Sequence, residues 1–173
     1  AHNITTSNNN ATCFYTEDID GDGDIDVISA LTNMIVWYEN DGSGMFASHT
    51  MNIPDSVIYS VYAVDIEDDG DMDVLSASYF DDTIAWYEND GTNKFSKHTI
   101  TTAANGATAV YATDIDGDGD ADVLSASSSD DTVAWYENNR PPNAFKDSAT
   151  TPEDTGIVID ILSNDIEPDG DSL

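Results

Sequence analysis

The sequence predicts an all-β protein built from three repeats of one unit. Three tryptophans, Trp37, Trp86 and Trp135, follow one another at intervals of 49 residues, in the phrase "VWYEN" once and "AWYEN" twice. A dense acidic stretch also occurs three times, as "DIDGDGDID", "DIEDDGDMD" and "DIDGDGDAD". No segment keeps the 3.6-residue apolar period of a helix, whereas short β-branched and aromatic runs alternate with turn residues. A fixed period of this length is typical of a repeat architecture.

Each repeat contains a series of predicted strands. In the second repeat they cover residues 60–64, 73–78, 83–88 and 95–101, separated by the acidic stretch, an Asp-Asp turn and an Asn-Asp-Gly turn. Four short strands per unit of about 40–50 residues are typical of a β-propeller blade, a four-stranded antiparallel sheet. The first repeat lacks the Asp-Asp turn, so its second hairpin is predicted to be tighter. We expect three blades, over residues 1–48, 49–97 and 98–139.

The composition restricts the partners. Lys and Arg together number 4 against 35 Asp and Glu, which gives a formal net charge of -31. Such self-repulsion opposes compaction unless cations neutralise it, and it disfavours nucleic acid and anionic membranes as partners. Cys13 is the single cysteine, so no internal disulfide forms, and we expect it to be a small buried side chain. No apolar run approaches the length of a membrane span. Metal cations are therefore the expected ligands.

The acidic stretches have the spacing of a calcium-binding loop. Acids at loop positions 1, 3 and 5 converge when a glycine at position 6 turns the backbone, position 7 offers a carbonyl oxygen and a further acid closes the shell. The donors are all oxygen, which excludes zinc and copper and favours calcium over magnesium. We expect one Ca²⁺ in each of the three loops, with backbone oxygen from Asp24, Asp71 and Asp120. The predicted ligands are Asp18, Asp20, Asp22, Asp24 and Asp26 in loop 1, Asp65, Glu67, Asp69, Asp71 and Asp73 in loop 2, and Asp114, Asp116, Asp118, Asp120 and Asp122 in loop 3.

An EF-hand is the obvious rival for these loops. Its loop needs a glutamate at position 12, but Ser29, Ser76 and Ser125 stand there. Its flanking helices are also absent from the predicted pattern. The loops are therefore expected to bind calcium with EF-hand-like chemistry between two strands.

These residues resemble the FG-GAP/VCBS repeat family, which includes the integrin α-subunit propeller and many bacterial surface and secreted proteins. The resemblance rests on "D-x-D-x-D-G-x-x-D" followed by "DVLSAS" and "DDTIAWYEN", and it covers about residues 1–139. It implies a seven-bladed propeller with one calcium in a loop of each metal-binding blade. It further implies that the loops are structural and brace the first hairpin of the blade.

The C-terminal part of the chain follows a different pattern. Residues 140–145 contain "RPP" and are predicted to be a linker. Residues 146–173 are similar to the opening of a bacterial cadherin-like or Ig-like module, a partial β-sandwich with a predicted strand at residues 155–162. A fourth calcium is a weaker prediction here, because Leu173 occupies position 9. Its candidate ligands are Asp165, Glu167, Asp169 and Asp171.

Three blades cannot close a ring of four to eight, so we expect a segment of a longer protein or of an assembly. The open faces would be covered by further blades, by other copies of the chain or by neighbours in a filament. The repeated Trp and Tyr are expected to pack between blades. The three histidines, one repeat apart, are expected in different blades, where they cannot share a metal.

The predicted function is that of a non-catalytic, calcium-stabilised extracellular or cell-surface module for adhesion, matrix or surface-filament building. Alternatives are a carbohydrate-binding propeller, with Trp37, Tyr79 or Phe80 stacking on sugar rings, and the non-catalytic propeller part of a secreted polysaccharide-active enzyme. No nucleophile motif and no unique cluster of catalytic side chains is visible in the sequence, so enzymatic activity is not expected. Glycans and cell-surface proteins are further candidate partners. Two sequons, at Asn3 and Asn10, are candidate glycosylation sites.

Overall fold

The computed structural model describes residues 2–5 and 10–139, with the backbone alone for residues 52–56. Four predictions therefore lie outside the described residues: the linker, the cadherin-like or Ig-like segment, its strand, and the acidic loop that contains Asp165, Glu167, Asp169 and Asp171.

The described part of the chain is all-β and every strand pairing in it is antiparallel. It contains no helix, so the predicted fold class is confirmed. Nor does it contain a helix long and apolar enough to cross a membrane. The strands are β1 Cys13–Glu17, β2 Asp26–Asn40, β3 Phe46–Val64, β4 Asp73–Ser78, β5 Thr83–Asn89, β6 Phe95–Thr101, β7 Ala107–Thr113, β8 Asp122–Ser127 and β9 Thr132–Tyr136.

The long strand β2 folds back on itself. The Asn40 amide donates a hydrogen bond of 2.7 Å to a carboxylate oxygen of Asp26, its other end. A straight strand of this length would hold those residues about 45 Å apart at 3.3 Å per residue. The chain reverses at Asn33, whose φ of 67° suits a tight hairpin turn. The prediction of a tighter second hairpin in the first repeat is confirmed.

The strands form a sheet in the order β1 to β6 and a second sheet in the order β7-β8-β9. Strand β3 serves two units, because its residues 46–52 pair with β2 while residues 58–64 pair with β4. We call residues 13–52 blade 1, residues 57–101 blade 2 and residues 107–136 blade 3. Blade 3 has three strands within the described residues.

Two apolar cores lie between the blades. One joins blade 1 to blade 2 and includes Ile28, Trp37 and Val61, and the other joins blade 2 to blade 3 and includes Leu75 and Val110. A row of repeat-related tyrosines runs across all three blades, with ring centroids 4.6 Å apart for Tyr15 and Tyr62 and 4.7 Å apart for Tyr62 and Tyr111. These contacts confirm inter-blade packing for the repeated tyrosines and for Trp37 and Trp86, whereas Trp135 is 46% exposed.

Candidate functional site

The three acidic loops occupy equivalent places in the fold. Each connects the first two strands of a blade: β1 to β2 in blade 1, β3 to β4 in blade 2 and β7 to β8 in blade 3. The strands on either side are paired up to the residues that border the loop, Glu17 with Asp26 and Thr113 with Asp122. The predicted ligands are thus held at the end of a hairpin that the sheet keeps in place.

The first carboxylate of each loop organises the turn that follows. Asp18 accepts hydrogen bonds from the amides of Asp22 at 3.1 Å and Gly23 at 2.9 Å. Asp65 and Asp114 accept the equivalent bond from the glycine at position 6, at 2.8 Å and 3.2 Å. The carboxylate at position 5 in turn accepts the amide of position 7 in every loop, at 2.8, 3.0 and 2.8 Å. The alternate acids therefore fold the loop around themselves.

Glycine at position 6 has the backbone conformation that the sequence predicts. Gly23, Gly70 and Gly119 have φ of 96°, 97° and 105°, a region that L side chains rarely adopt. Position 4 also has a positive φ, 73° at Gly21 and 86° at Gly117, but the second loop places Asp68 there with φ 55°. Sequence reasoning missed this second requirement. The signal was the "DG" pair in loops 1 and 3.

Two of the loops bring carboxylate oxygens together. One oxygen from each of Asp18, Asp20 and Asp22 lies within 4.8 Å of the others, and a second group of this kind combines Asp114 and Asp116 with Asp122. Among the described residues no such group includes Asp65, Glu67 and Asp69. The first and third loops therefore have a donor arrangement that could hold a metal ion, as the chemistry of an all-oxygen set predicts.

The acids at position 7 of loops 1 and 2 turn their carboxylates elsewhere. A Cβ added at Gly91 would lie 2.7 Å from an Oδ of Asp71, so this carboxylate rests against the turn between β5 and β6. Asp24 lies against Gly42 in the same way. The carboxylates of Asp24 and Asp71 therefore lie against the β-turns that follow the third strands of their blades, and the backbone-oxygen role of position 7 stays a prediction.

The acids at position 9 are buried anchors. Asp26, Asp73 and Asp122 are all fully buried and lie at the first residue of the second strand of their blades. Each accepts one amide hydrogen bond from loop position 2 and another from the asparagine that follows the "WYE" phrase. Asp26 accepts a third bond, of 2.8 Å, from the indole Nε1 of Trp37. Sequence reasoning assigned these residues to the metal and did not foresee the anchor.

Several loop carboxylates have raised pKa values, mainly because they are desolvated. Burial raises the pKa of Asp73 to about 6, against two amide hydrogen bonds that lower it. Desolvation also raises the pKa of Asp20 and Glu67, and neighbouring carboxylates add to both effects. The same causes raise the pKa of Asp116. A divalent cation among these oxygens would favour their ionised forms.

The aromatic residues proposed for sugar binding divide into two groups. Trp37 is buried, with the His49 ring stacked on it at 4.5 Å, so the prediction that it could stack on a sugar is wrong. Tyr59, Tyr79 and Phe80 lie together at an exposed corner. The ring centroid of Tyr79 is 4.9 Å from that of Tyr59 and 5.1 Å from that of Phe80. The prediction for Trp37 fails because blade 2 covers this side chain, a tertiary contact that the sequence pattern does not show.

Histidine, tryptophan and glutamate form a repeated unit that the sequence did not reveal. In blade 2, His98 stacks on Trp86 at 4.5 Å and its Nε2 lies 2.6 Å from Glu88. In blade 1, His49 is placed on Trp37 in the same way and lies 2.6 Å from Glu39. The two histidines are in different blades, as predicted.

Comparison with known proteins agrees with this geometry. The family model described as FG-GAP-like repeat matches the chain twice, at residues 18–76 and 65–125, and the two matches together span more than half of the chain. Each match begins at the first residue of an acidic loop. No curated protein matches the chain significantly. The chain belongs to the FG-GAP-like repeat family.

Proposed function

We propose that this protein is a non-catalytic, calcium-binding repeat protein in which Ca²⁺ braces the first hairpin of each blade. The single observation that carries the proposal is the convergence of carboxylate oxygens in loops 1 and 3. The residues that would hold the ion are Asp18, Asp20, Asp22 and Asp26 in loop 1, Asp65, Glu67, Asp69 and Asp73 in loop 2, and Asp114, Asp116, Asp118 and Asp122 in loop 3, with backbone oxygen from Asp24, Asp71 and Asp120.

Bound calcium would supply charge neutralisation where the chain has only acids. With a net charge of -31, the protein gains from every cation that binds the native state alone. Each position 9 carboxylate already accepts at least two hydrogen bonds, and a carboxylate has about four lone-pair sites, so it has the capacity to bind an ion as well. The ion would thereby tie the loop to the end of the third strand.

The setting that we propose is extracellular or at the cell surface, in adhesion, matrix or filament assembly. FG-GAP-like repeats are typical of extracellular proteins. Loops of this type need only calcium affinities of about 10⁻⁴–10⁻³ M outside the cell. The partners we propose are further blades, second copies of the chain, and glycans or proteins of a cell surface.

A calcium titration with a chelation melt tests the proposal. Isothermal titration should give one Ca²⁺ per loop, and EGTA should lower Tm substantially. Asp116→Asn should weaken one binding event, because it removes a negative charge from the third cluster while keeping a neutral oxygen donor. Asp131→Asn, an exposed acid outside the loops, is the matched control and should bind calcium as the wild type does. An unchanged melt in EGTA would remove the case for structural calcium.

Carbohydrate binding is a second candidate, favoured by the aromatic corner. Tyr59 and Phe80 are 42% and 69% exposed, and no equivalent aromatic group occurs at this place in the other two repeats. Exposed rings of this kind can stack on sugars. A glycan array should then show binding that Phe80→Ala abolishes without changing Tm. Such a module would also suit the non-catalytic part of a polysaccharide-active enzyme.

A further inference from the structure

Blade 3 exposes a face whose counterparts in blades 1 and 2 are buried. The isoleucine at loop position 2 is 2% exposed at Ile19 and 8% exposed at Ile66, but 42% exposed at Ile115. One residue of the third strand shows the same difference, since Ile35 and Ile84 are fully buried whereas Val133 is 77% exposed. Blade 2 covers this face of blade 1, and blade 3 covers this face of blade 2. Blade 3 therefore presents a surface built to receive another blade.

Blade 1 exposes the complementary face. The position that inserts into the preceding blade is 5% exposed at Val61 and 6% exposed at Val110, but 72% exposed at Phe14. The tyrosine row ends on the same two surfaces, with Tyr15 at one end and the half-exposed Tyr111 at the other. The open face of blade 1 thus carries the residue types that fit the open face of blade 3.

Within the described residues no strand pairs with the outer edge of β9, and a matching strand occurs elsewhere in the sequence. In blades 1 and 2 the fourth strand places a histidine directly opposite the tryptophan, Trp37 with His49 and Trp86 with His98. Strand β9 offers Trp135, 46% exposed, and Glu137 follows it in the chain. The repeat-equivalent histidine is His2, in the segment "HNIT" that matches "HTIT" of β6. Residues 2–5 are exposed and belong to no strand.

We propose that a second copy of the chain docks head to tail on blade 3. Its blade 1 packs Phe14 against Ile115 and Val133, and its residues 2–5 pair with β9 as a fourth strand that places His2 on Trp135 beside Glu137. Two copies joined through both open faces would bring their six described blades into one ring, within the four to eight that propellers use. A closed dimer is therefore the expected species. The docking deepens the assembly role proposed above and is independent of calcium chemistry.

Introducing a negative charge on each face tests the docking by sedimentation velocity. The wild type in calcium and physiological salt should sediment as a dimer, whereas Phe14→Asp and Val133→Asp should each sediment as monomers. An equimolar mixture of the two variants should recover a dimer, because each retains the face that the other has lost. Phe80→Asp is the matched control: it adds the same charge at an exposed aromatic outside both faces and should remain dimeric. A monomeric wild type, or dimers of either single variant, would overturn the proposal.

A disulfide tests the strand register. Val36 pairs with Thr50 and Ala85 with Thr99, so Asn3 of one copy should pair with Ala134 of the other. Opposed Cα atoms lie about 4.5–5.5 Å apart, within disulfide range. In a Cys13→Ser background, oxidising a mixture of Asn3→Cys and Ala134→Cys chains should give a covalent heterodimer. The control Ile4→Cys, one residue out of register, should not link to Ala134→Cys, and equal linking would refute the proposed pairing.

The same samples separate this proposal from the calcium proposal. A monomeric wild type that binds one calcium per loop contradicts only the docking. Dimers that persist without any calcium binding contradict only the metal role.

Discussion

Replacing Asp26 with alanine should destabilise the protein even when calcium is absent. Asp26 is fully buried, and its carboxylate accepts hydrogen bonds from the Ile19 amide, the Trp37 indole and the Asn40 amide. A buried donor without an acceptor costs about 1–3 kcal/mol, so three of them predict about 3–9 kcal/mol. The stability of a whole domain is only about 5–15 kcal/mol.

The equivalent changes in the other blades should cost less. Asp73 accepts two such bonds, from Ile66 and Asn89, and Asp122 also accepts two, from Ile115 and Asn138. The same arithmetic gives about 2–6 kcal/mol for each. The predicted order of destabilisation is therefore Asp26→Ala first, followed by Asp73→Ala and Asp122→Ala together.

Urea unfolding in saturating calcium and in EGTA distinguishes an anchor from a ligand. Asp22→Asn is the comparison, because Asp22 is exposed and is proposed above to be a ligand. Its effect should disappear in EGTA, whereas the effect of Asp26→Ala should persist. If Asp26→Ala does not fold, Asp26→Asn, which keeps one acceptor oxygen, should unfold at an intermediate urea concentration. Loss of the Asp26→Ala effect in EGTA would refute the anchoring role.

Three further predictions concern other parts of the blades. Gly42→Ala should cost more than Gly44→Ala in the same turn, because both have positive φ, about 1–2 kcal/mol of strain, but only Gly42 lies against Asp24; equal urea midpoints would contradict this. His98→Ala should lower the free energy of unfolding by about 1 kcal/mol and His98→Phe by less, because the stack on Trp86 contributes more than the exposed ion pair with Glu88. If the stability of the wild type depends on salt and both variants lose that dependence, the ion pair contributes more than the stack and the prediction is wrong. The metal-free protein should gain stability as the pH falls from about 7 to about 4, because Asp73, with a folded pKa of about 6 against an ordinary 3.8, binds its proton more tightly in the native state. Calcium, which needs ionised carboxylates, should reverse that trend, and melts at stepped pH with EGTA or calcium measure both; a Tm that falls with pH in EGTA would contradict the assignment.

The periodic features of this fold could be predicted because each repeats its own signal. The bend at position 6 needs glycine for a local steric reason, and Gly23, Gly70 and Gly119 all show it. The turn at Asn33 followed from the two residues missing in the first repeat, since a shorter connection leaves room only for a tight hairpin. Local constraints of this kind are visible in a sequence without knowledge of the fold.

The contacts that the sequence did not reveal are those between distant strands. Nothing in the spacing of Asp26 distinguishes a ligand from an acceptor for the Trp37 indole, because that contact depends on how β2 folds back. Likewise, Trp37 and Trp135 stand in almost the same phrase, yet one is 1% exposed and the other 46% exposed. Their difference arises from the neighbouring blade, which no single repeat encodes.

The anchors also connect each metal loop to the contact between blades. The Asn138 amide donates to Asp122, and its side-chain amide donates to the carbonyl oxygen of Ile66 in loop 2 of the neighbouring blade at 2.9 Å. Ile66 in turn donates its amide to Asp73, the anchor of its own loop. A chain of hydrogen bonds thus runs from the third loop through Asn138 to the second. Because neighbouring bonds in such a network support one another, disorder in one loop should weaken the adjacent blade contact as well as its own hairpin.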